Sequence, residues 1–343
     1  MTDFCSRVII GTAVGDSIGL PAEGMSKNSI ERRWPQAWKH CLFFGKGMIS
    51  DDTEHTVFVA QCLIQNPNNP IAFQKALAWK LRFWLLGIPA GIGFATLRSI
   101  LKLWIGFPPD RSGVFSAGNG PAMRSAIIGA FFSTEPVKIR EFVRVSTRLT
   151  HTDPKAETAA VAVALTAAWA CTHSDRPDKS LMTVWRDISP TDKDWTTPLD
   201  AIHRAIEIQS TVAEFAASVG LTKGVSGYAY HTVPVALYAW LHHHGDFQKT
   251  VEAVIRCGGD TDTVGAITGA LAAIGAPVPE DWQQEVSDLP ISLSFLQRLG
   301  KQADQASQNG SEKPVDFNWL LLPFRNLLFF GIVLLHGFRR LLP

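Results

Sequence analysis

Hydrophobic residues recur at three- and four-residue spacing along most of the chain, which is the period of a buried or amphipathic helix. The pattern is found at 52–65, 71–86, 119–133, 155–171, 229–243, 246–256 and 263–275. Alternating runs of Val, Ile, Thr and aromatic residues, which indicate strands, are almost absent. The pattern therefore predicts an all-α fold in which many helices pack around one core.

Segments rich in glycine, proline or polar residues interrupt the helical pattern. We expect loops at 87–93 and 106–113, where glycine and proline cluster. Residues 172–199 hold many Asp, Ser, Thr and Lys residues and are interpreted as an exposed excursion. The polar stretch 301–317 is expected to be a solvated linker between a body formed by residues 1–300 and an apolar C-terminal segment, 318–343.

Composition narrows the classes of protein that the chain can belong to. A chain of 343 residues can bury a large core without disulfide bonds or a structural metal. The 46% hydrophobic content excludes a disordered chain, and the net charge of +1 argues against nucleic-acid binding driven by phosphate neutralisation. Five widely spaced cysteines without a C-x-x-C motif argue against disulfides or zinc and fit a reducing compartment. The apolar stretch near the N-terminus is too short for a secretory signal, so we expect a cytoplasmic location.

Two motifs place acidic and hydroxyl side chains directly before strongly apolar helices. They are Ser50-Asp51-Asp52-Thr53 and Gly258-Gly259-Asp260-Thr261-Asp262-Thr263. Either motif alone is more typical of a helix cap, because such side chains bind the unpaired N–H groups and oppose the helix dipole. Adjacent carboxylates repel each other, however, and a second motif of the same kind is harder to explain by capping. If the two helix starts meet, their carboxylates and hydroxyls form a hard-oxygen ligand set suited to Mg²⁺, Mn²⁺ or Ca²⁺, and the four carboxylates supply enough negative charge for two such ions.

Other polar motifs are ambiguous when each is taken alone. The turn from Gly15 to Glu23 has two acids and is best interpreted, by itself, as a solvated helix end. The stretch from Ser116 to Arg124 is rich in small residues and precedes a helix, where N–H groups can hold a phosphate. His151 stands at a helix entry, where a single histidine is more often structural than catalytic. The run His242 to His244 points in different directions around a helix, so we interpret it as a solvated helix end and not a metal site.

Taken together, these motifs resemble the ADP-ribosylglycohydrolase family and are similar to those of the dinitrogen reductase-activating glycohydrolases. The resemblance is carried, in chain order, by Gly15-Asp16, Leu20 and Glu23; Ser50-Asp51-Asp52-Thr53; Gly118-Asn119-Gly120 with Ala122-Met123-Arg124; His151; and Gly258-Gly259-Asp260-Thr261-Asp262-Thr263. The order and wide spacing of the paired acidic motifs are the specific part of this match. The glycine loop alone would not be specific.

The resemblance implies an all-helical fold with a binuclear metal centre in a cleft. The two ions are expected to be Mg²⁺, and Mn²⁺ is also compatible with the site. The metal ligands that it implies are Ser50, Asp51, Asp52, Asp260, Asp262 and Thr263. It implies a catalytic glutamate at Glu23, a substrate diphosphate on Gly118-Asn119-Gly120 with Ser116 beside it, and a distal ribose near His151. The stretch 224–232 resembles a family segment that lines the cleft.

The activity implied by the resemblance is hydrolysis of the N- or O-glycosidic bond at C1″ of an ADP-ribosyl group on a protein or small molecule, by a monomer. One alternative is a non-catalytic ADP-ribose-binding or structural homologue, but the acids that such a homologue would lack are present. Another is a different binuclear-metal nucleotide hydrolase, but that class usually uses His–Asp ligand pairs. The acceptor stays open, as does whether Glu23 acts as acid or base.

The C-terminal segment is apolar from Trp319 to Phe338 but is interrupted by Pro323, Arg325 and Asn326. Its uninterrupted part, 327–335, is shorter than the roughly 20 residues that a membrane-spanning helix needs. We therefore expect contact with a membrane surface or a partner, with packing on the helical body as the alternative.

Overall fold

The computed structural model describes residues 3–173, 175, 177 and 179–341, and this part of the chain is dominated by helices. The helices are α1 (Phe4–Gly19), α2 (Lys27–Arg33), α3 (Asp51–Gln65), α4 (Pro70–Leu86), α5 (Phe94–Trp104), α6 (Gly120–Met123), α7 (Ala126–Phe131), α8 (Pro136–Arg148), α9 (Pro154–Thr172), α10 (Lys179–Ile188), α11 (Lys193–Glu207), α12 (Val212–Ser218), α13 (Ala229–His242), α14 (Phe247–Ile255), α15 (Thr261–Gly275), α16 (Glu280–Glu285), α17 (Leu293–Asn309) and α18 (Leu322–Leu341). Two-residue strands, β1 (Met25–Ser26) and β2 (Gly258–Gly259), form an antiparallel pair. The predicted all-α class is confirmed.

Helices α1 and α15 form the centre of the fold, and glycines let their backbones touch. A Cβ atom added at Gly15 would lie 2.1 Å from the carbonyl oxygen of Gly265. One added at Gly19 would lie 2.2 Å from the carbonyl oxygen of Thr261, whose own hydroxyl donates to the Gly19 carbonyl at 2.8 Å. Only glycine permits so close an approach. The contact sets the C-terminal end of α1, which carries Asp16, beside the N-terminal end of α15.

Most of the helices expected from the pattern correspond to single helices, namely α3, α4, α9, α13, α14 and α15. The stretch predicted as one helix over 119–133 is divided into α6 and α7. The backbone leaves the helix at Arg124, which follows α6 at φ −108° and ψ 12°, and the buried side chain of Arg124 donates to the Gly120 and Ser146 carbonyls. The loops predicted at 87–93 and 106–113 are confirmed.

The interpretation of residues 172–199 as an exposed excursion is wrong where the structure describes them. Helix α10 and the first part of α11 occupy this stretch, and Trp185 and Trp195 are fully buried. Trp185 Nε1 donates to Thr166 Oγ1 at 2.8 Å, and Trp195 Nε1 donates to the Trp185 carbonyl at 2.8 Å. The polar residues cover the outer face, while a few large apolar side chains make the stretch pack.

The predicted linker is only partly correct, because α17 continues to Asn309. The chain beyond it is held to the body: Gln302 Nε2 donates to the Lys313 carbonyl and Gln61 Nε2 to the Val315 carbonyl, both at 2.7 Å. Helix α18 follows and packs on the body. Within the described ranges, Trp319–Phe338 is the one stretch long and apolar enough to cross a membrane by length and composition alone.

Candidate active site

The N-terminus of α3 is held by Asp16, which reaches it from α1. Asp16 Oδ2 accepts hydrogen bonds from the N–H groups of Ser50 (2.8 Å) and Thr53 (3.2 Å) and from Thr53 Oγ1 (2.5 Å). Ser50 is the N-cap residue, and its hydroxyl accepts from the Asp52 N–H at 3.2 Å. Because Asp16 and Ser50 already bind these N–H groups, the carboxylates of Asp51 and Asp52 are not needed as caps.

The N-terminus of α15 meets the N-terminus of α3. Thr263 Oγ1 donates to Asp52 Oδ2 at 3.3 Å, although 211 residues separate the two in sequence. Asp260 Oδ2 accepts from Asn119 Nδ2 at 2.7 Å. Among the predicted metal ligands, Asp51, Asp260, Asp262 and Thr263 line one cavity, while Ser50 and Asp52 are buried.

The buried carboxylates of this cluster make one another harder to ionise. Burial raises the pKa of Asp52 and of Asp262 well above the usual range, and nearby negative charges raise both further. Burial also raises the pKa of Asp16 to about 6. In the part of the chain that the structure describes, one oxygen of each of these three residues is buried without a hydrogen-bond partner. Such oxygens are costly to bury, and a divalent cation would satisfy them and favour their ionised form.

The donor set fits a hard cation, because carboxylate and hydroxyl oxygens are the ligands that Mg²⁺ and Mn²⁺ prefer. Within the described ranges, however, no three His, Cys, Asp or Glu side chains already stand at ligand geometry around one point. The backbones of the two helix starts are already together.

Glu23 lies on the turn after α1 and lines the same cavity. The turn is held by the short strand pair: the Gly24 N–H donates to the Gly259 carbonyl at 2.7 Å, and Met25 pairs with Gly259. Glu23 is exposed, and its charge contributes to the raised pKa of Asp262. The turn is therefore one edge of the acidic cavity as well as a helix end.

The glycine-rich loop before α6 forms the opposite wall, and Asn119 fixes it. The Asn119 N–H donates to the Gly227 carbonyl at 2.9 Å, and its side-chain Nδ2 donates to Thr232 Oγ1 at 3.0 Å as well as to Asp260. Helix α6 is a single turn, Gly120–Met123, so its dipole is small. An anion held here would be bound by loop N–H groups more than by a helix terminus.

His151 lies directly beneath this loop and is 3% exposed. A Cβ atom added at Gly118 would lie 3.0 Å from His151 Nε2, and the Gly118 N–H donates to Ser116 Oγ at 3.3 Å. His151 Nδ1 is hydrogen-bonded to Thr150 Oγ1, which also accepts from an Arg124 guanidinium N–H. Burial and the charge of Arg124 lower the pKa of His151 to about 3, so the ring is neutral at pH 7. His151 both lines the cavity and supports the loop.

The cavity between these elements has a volume of about 450 Å³. Sequence reasoning missed the part of its wall formed by Gly91, Gly93 and the 84% exposed Phe94. The interpretation of Gly15 to Glu23 as a solvated helix end is wrong for Asp16, which is fully buried, whereas Glu23 is exposed. A larger cavity of about 890 Å³ lies between α1 and α17, away from the acidic motifs.

Comparison with known proteins agrees with this architecture. A sequence model of the ADP-ribosylglycohydrolase family matches residues 3–312, and the chain belongs to this family. An uncharacterized protein of Archaeoglobus fulgidus is 31% identical over 310 residues, which cover 87% of this chain and 95% of that protein. The ADP-ribosylhydrolase ARH3 of Bos taurus is 29% identical over 52% of this chain and 56% of its own length. The matches to the ARH3 proteins of Bos taurus and Homo sapiens cover 56% and 57% of the length of those proteins.

The ADP-ribosyl-[dinitrogen reductase] glycohydrolase of Rhodospirillum rubrum is 26% identical over 46% of this chain and 54% of its own length. A solved structure described as an ADP-ribosylglycohydrolase-related protein complex superposes with a TM-score of 0.62 at 23% identity, covering 89% of this chain and 98% of that one. This likeness shows the fold. The family and the names of these relatives support a glycosyl hydrolase of ADP-ribosyl groups. Helix α18 lies beyond the part that the family model matches.

Proposed function

We propose that this chain hydrolyses the N- or O-glycosidic bond at C1″ of an ADP-ribosyl group with the help of two divalent cations, of which Mg²⁺ fits best. The observation that carries the proposal is the set of buried, unpartnered oxygens of Asp16, Asp52 and Asp262 where α1, α3 and α15 meet. So many acids cannot all ionise cheaply without a cation. The ligands would be Ser50, Asp51, Asp52, Asp260, Asp262 and Thr263.

The remaining residues of the cavity would bind and orient the substrate. The Gly118-Asn119-Gly120 loop offers N–H groups to a diphosphate, with Ser116 holding the loop and His151 beneath it near the distal ribose. Asn119 links this loop to the acidic cluster through Asp260. Small movements of the diphosphate loop would therefore be transmitted to the metal ligands.

Glu23 is the acid–base group of this proposal. Its carboxylate lies at the edge of the cavity and would transfer a proton between water and the leaving group as an oxocarbenium-like transition state forms. When bound, divalent cations supply positive charge that stabilises an attacking or leaving oxygen. One carboxylate together with the cations would thus replace the usual pair of flanking carboxylates.

We further propose that the protein acts as a monomer in the reducing environment of the cytoplasm. Its substrate would be an ADP-ribosylated protein or small molecule. Cys5, Cys62 and Cys257 are buried, and burial raises the pKa of the last two to about 12, which makes them unreactive thiols.

A panel of ADP-ribosylated substrates tests the function. Substrates carrying ADP-ribose on arginine, serine, a nucleobase or an acetyl ester would be incubated with the protein in Mg²⁺ or in chelator, and released ADP-ribose would be measured. We expect release from at least one substrate in Mg²⁺ and little in chelator. No release from any substrate, or equal release in chelator, would contradict the proposal.

A further inference from the structure

Helix α18 buries its polar side chains and exposes most of its apolar ones, which is the reverse of a surface helix in an ordinary soluble protein. Between Trp319 and Phe338 the polar side chains are Arg325, Asn326 and His336, and all three are buried at 8%, 1% and 7% exposure. An ordinary surface helix buries its apolar stripe and exposes its polar residues. In this helix the polar residues face the body, together with a few apolar ones such as Phe329.

The buried polar residues fasten the helix to the catalytic body. Arg325 Nε donates to Asp288 Oδ1 at 2.9 Å, and its guanidinium also donates to the carbonyl of Ile49, next to the Ser50 motif. Asn326 Nδ2 donates to the Gly87 carbonyl at 2.7 Å. A helix that left the body to cross a bilayer would strip these partners from a buried arginine, which is unfavourable. The helix is therefore held along the body.

The outer face of α18 and of the short helical turn that precedes it, Trp319–Leu321, is wholly apolar. Every exposed side chain between Trp319 and Phe338 is a leucine or a phenylalanine. They are Leu320, Leu321, Phe324, Leu327, Leu328, Phe330, Leu334, Leu335 and Phe338. A contiguous apolar surface of this extent marks an interaction site. Interfaces with other proteins are generally about four-tenths polar by area, most of it at the rim, whereas the exposed side chains of this face are all apolar.

Strained loops extend the apolar face on its flanks. Phe44 is 92% exposed at a φ of 48°, and Ile88 is 63% exposed at a φ of 56°. Left-handed backbone is costly for such residues, especially for the β-branched Ile88, so the surrounding structure must hold both loops in place. Both loops adjoin α18, because Leu42 and Ala90 pack in the same small cluster as Phe329.

We propose that the outer face of α18, with Phe44 and Ile88, binds the surface of a lipid bilayer, with α18 lying in the plane of the membrane. A hydrocarbon-only face suits acyl chains, and the polar anchors keep the helix from spanning. Basic residues suit anionic head groups at the rim: Lys46 is exposed two residues after Phe44, and Arg339 and Arg340 follow the apolar segment in sequence. A lipid surface is therefore a better match than a protein partner.

The proposed surface adjoins the cavity, because one loop belongs to both. Ile88 flanks α18, and the same loop continues to Gly91 and Gly93, which line the cavity. The membrane would thus lie beside the entrance to the active site. ADP-ribosylated molecules held at a membrane would be favoured as substrates, a consequence that rests on the proposed function while the membrane contact itself does not.

Vesicle flotation of the full-length protein tests the contact. Vesicles of phosphatidylcholine, with and without phosphatidylserine, would be compared for the parent and for the variant Leu327→Glu/Leu335→Glu. Both positions are exposed, so the variant is expected to fold, which circular dichroism would verify. Burying one leucine is worth enough for us to expect a loss of at least about tenfold in partition per replacement. The matched control is Val137→Glu/Ile208→Glu, two apolar residues that are 70% and 75% exposed elsewhere.

The proposal predicts that the parent and the control float, more strongly with phosphatidylserine, and that the α18 variant does not. Absence of flotation by the parent on both kinds of vesicle would overturn it. So would a concentration-dependent dimer, seen by analytical ultracentrifugation, that the α18 variant dissociates while vesicle binding is absent. Because no substrate is used, these outcomes are independent of whether the proposed hydrolysis is correct.

Discussion

Thr263 Oγ1 donates a hydrogen bond to Asp52 Oδ2 at 3.3 Å, and this contact joins the starts of α15 and α3. The two residues are 211 positions apart in sequence. The contact follows from the glycine-mediated packing of α1 on α15, which leaves Asp16 positioned to hold the start of α3. A purely structural junction of this kind would not need so many acids. This junction of acids is the basis of the proposed cation site.

Replacing Glu23 with glutamine separates chemistry from binding. Glu23→Gln keeps the size of the side chain but removes its proton transfer, so we expect kcat to fall by about 10²–10⁴-fold. ADP-ribose affinity should change little, because the diphosphate loop is intact. The measurements are steady-state kinetics and calorimetric titration with ADP-ribose, and a kcat equal to that of the parent would remove Glu23 from its assigned role.

Gly15→Ala tests the central helix contact. The added Cβ would lie 2.1 Å from the backbone oxygen of Gly265, which cannot move aside as a flexible side chain could. We expect at least about 1–3 kcal/mol of destabilisation by urea unfolding. Gly275→Ala is the matched control in α15, where an added Cβ meets nothing within 4 Å, and it should be neutral or slightly stabilising. Equal effects of the two variants would mean that the close approach is not important.

The neutral, buried His151 predicts loss of stability in acid. Its folded pKa is lowered from 6.5 to about 3, so the unfolded chain takes up a proton below pH 6.5 that the folded chain does not. The stability is present above pH 6.5 and is lost as pH falls toward 3. Between pH 7 and pH 5 the loss from this residue should be about 2 kcal/mol.

His151→Gln should make the urea midpoint less sensitive to pH over that range, because glutamine does not titrate. The control is His203→Gln, at a histidine whose side chain is 48% exposed. An unchanged pH profile for His151→Gln would contradict the assignment of a depressed pKa.

The ion pair between Arg325 and Asp288 predicts that α18 is needed for stability. Arg325→Met would leave Asp288 buried without its cationic partner. It would also act on Glu54, because burial raises the pKa of Glu54 to about 7 and the charge of Arg325 favours the ionised form of this residue. We expect a loss of about 3–5 kcal/mol. The double variant Arg325→Met/Asp288→Asn should recover part of it. A parent-like urea midpoint for Arg325→Met would show that the pair is dispensable.

The sequence predicted the parts of the fold that periodicity controls. Long apolar helices such as α9 and α15 were visible because their composition is uniform, and the acidic motifs stood out because acids at the start of such helices are conspicuous. The polar composition of 172–199 predicts an exposed excursion, which is wrong because two buried tryptophans, Trp185 and Trp195, determine how this stretch packs.

The three-dimensional relations of the site could not be predicted from local pattern. That Asp16 holds the start of α3 depends on the packing of α1, and the position of Glu23 depends on pairing between Met25 and Gly259. The contribution of Arg325 is not visible in the sequence, because an arginine within an apolar segment predicts only an interruption of that segment. Arg325 fastens α18 to the body by donating to Asp288, a residue that precedes α17 and lies outside the apolar segment.

The central claim is that the acidic cluster is a cation site. It predicts that one substitution, Asp262→Asn, maintains or raises stability in chelator but removes most of the stabilisation by Mg²⁺. Asp262 is buried among like charges, and its raised pKa means that its ionisation opposes folding at pH 7. Asp262→Asn should therefore be at least as stable as the parent in chelator. It should nevertheless lose most of the stabilisation by Mg²⁺, which for a site with ligand at 100 times its Kd is about 2.7 kcal/mol.

The deciding measurement is the melting temperature of the parent, of Asp262→Asn and of the exposed control Asp110→Asn, each in chelator and in saturating Mg²⁺. The account predicts that Mg²⁺ raises the Tm of the parent and the control, and that Asp262→Asn melts no lower than the parent in chelator but shifts little with Mg²⁺. It would be contradicted if Mg²⁺ did not shift the parent, or if Asp262→Asn melted well below the parent in chelator and shifted as the parent does.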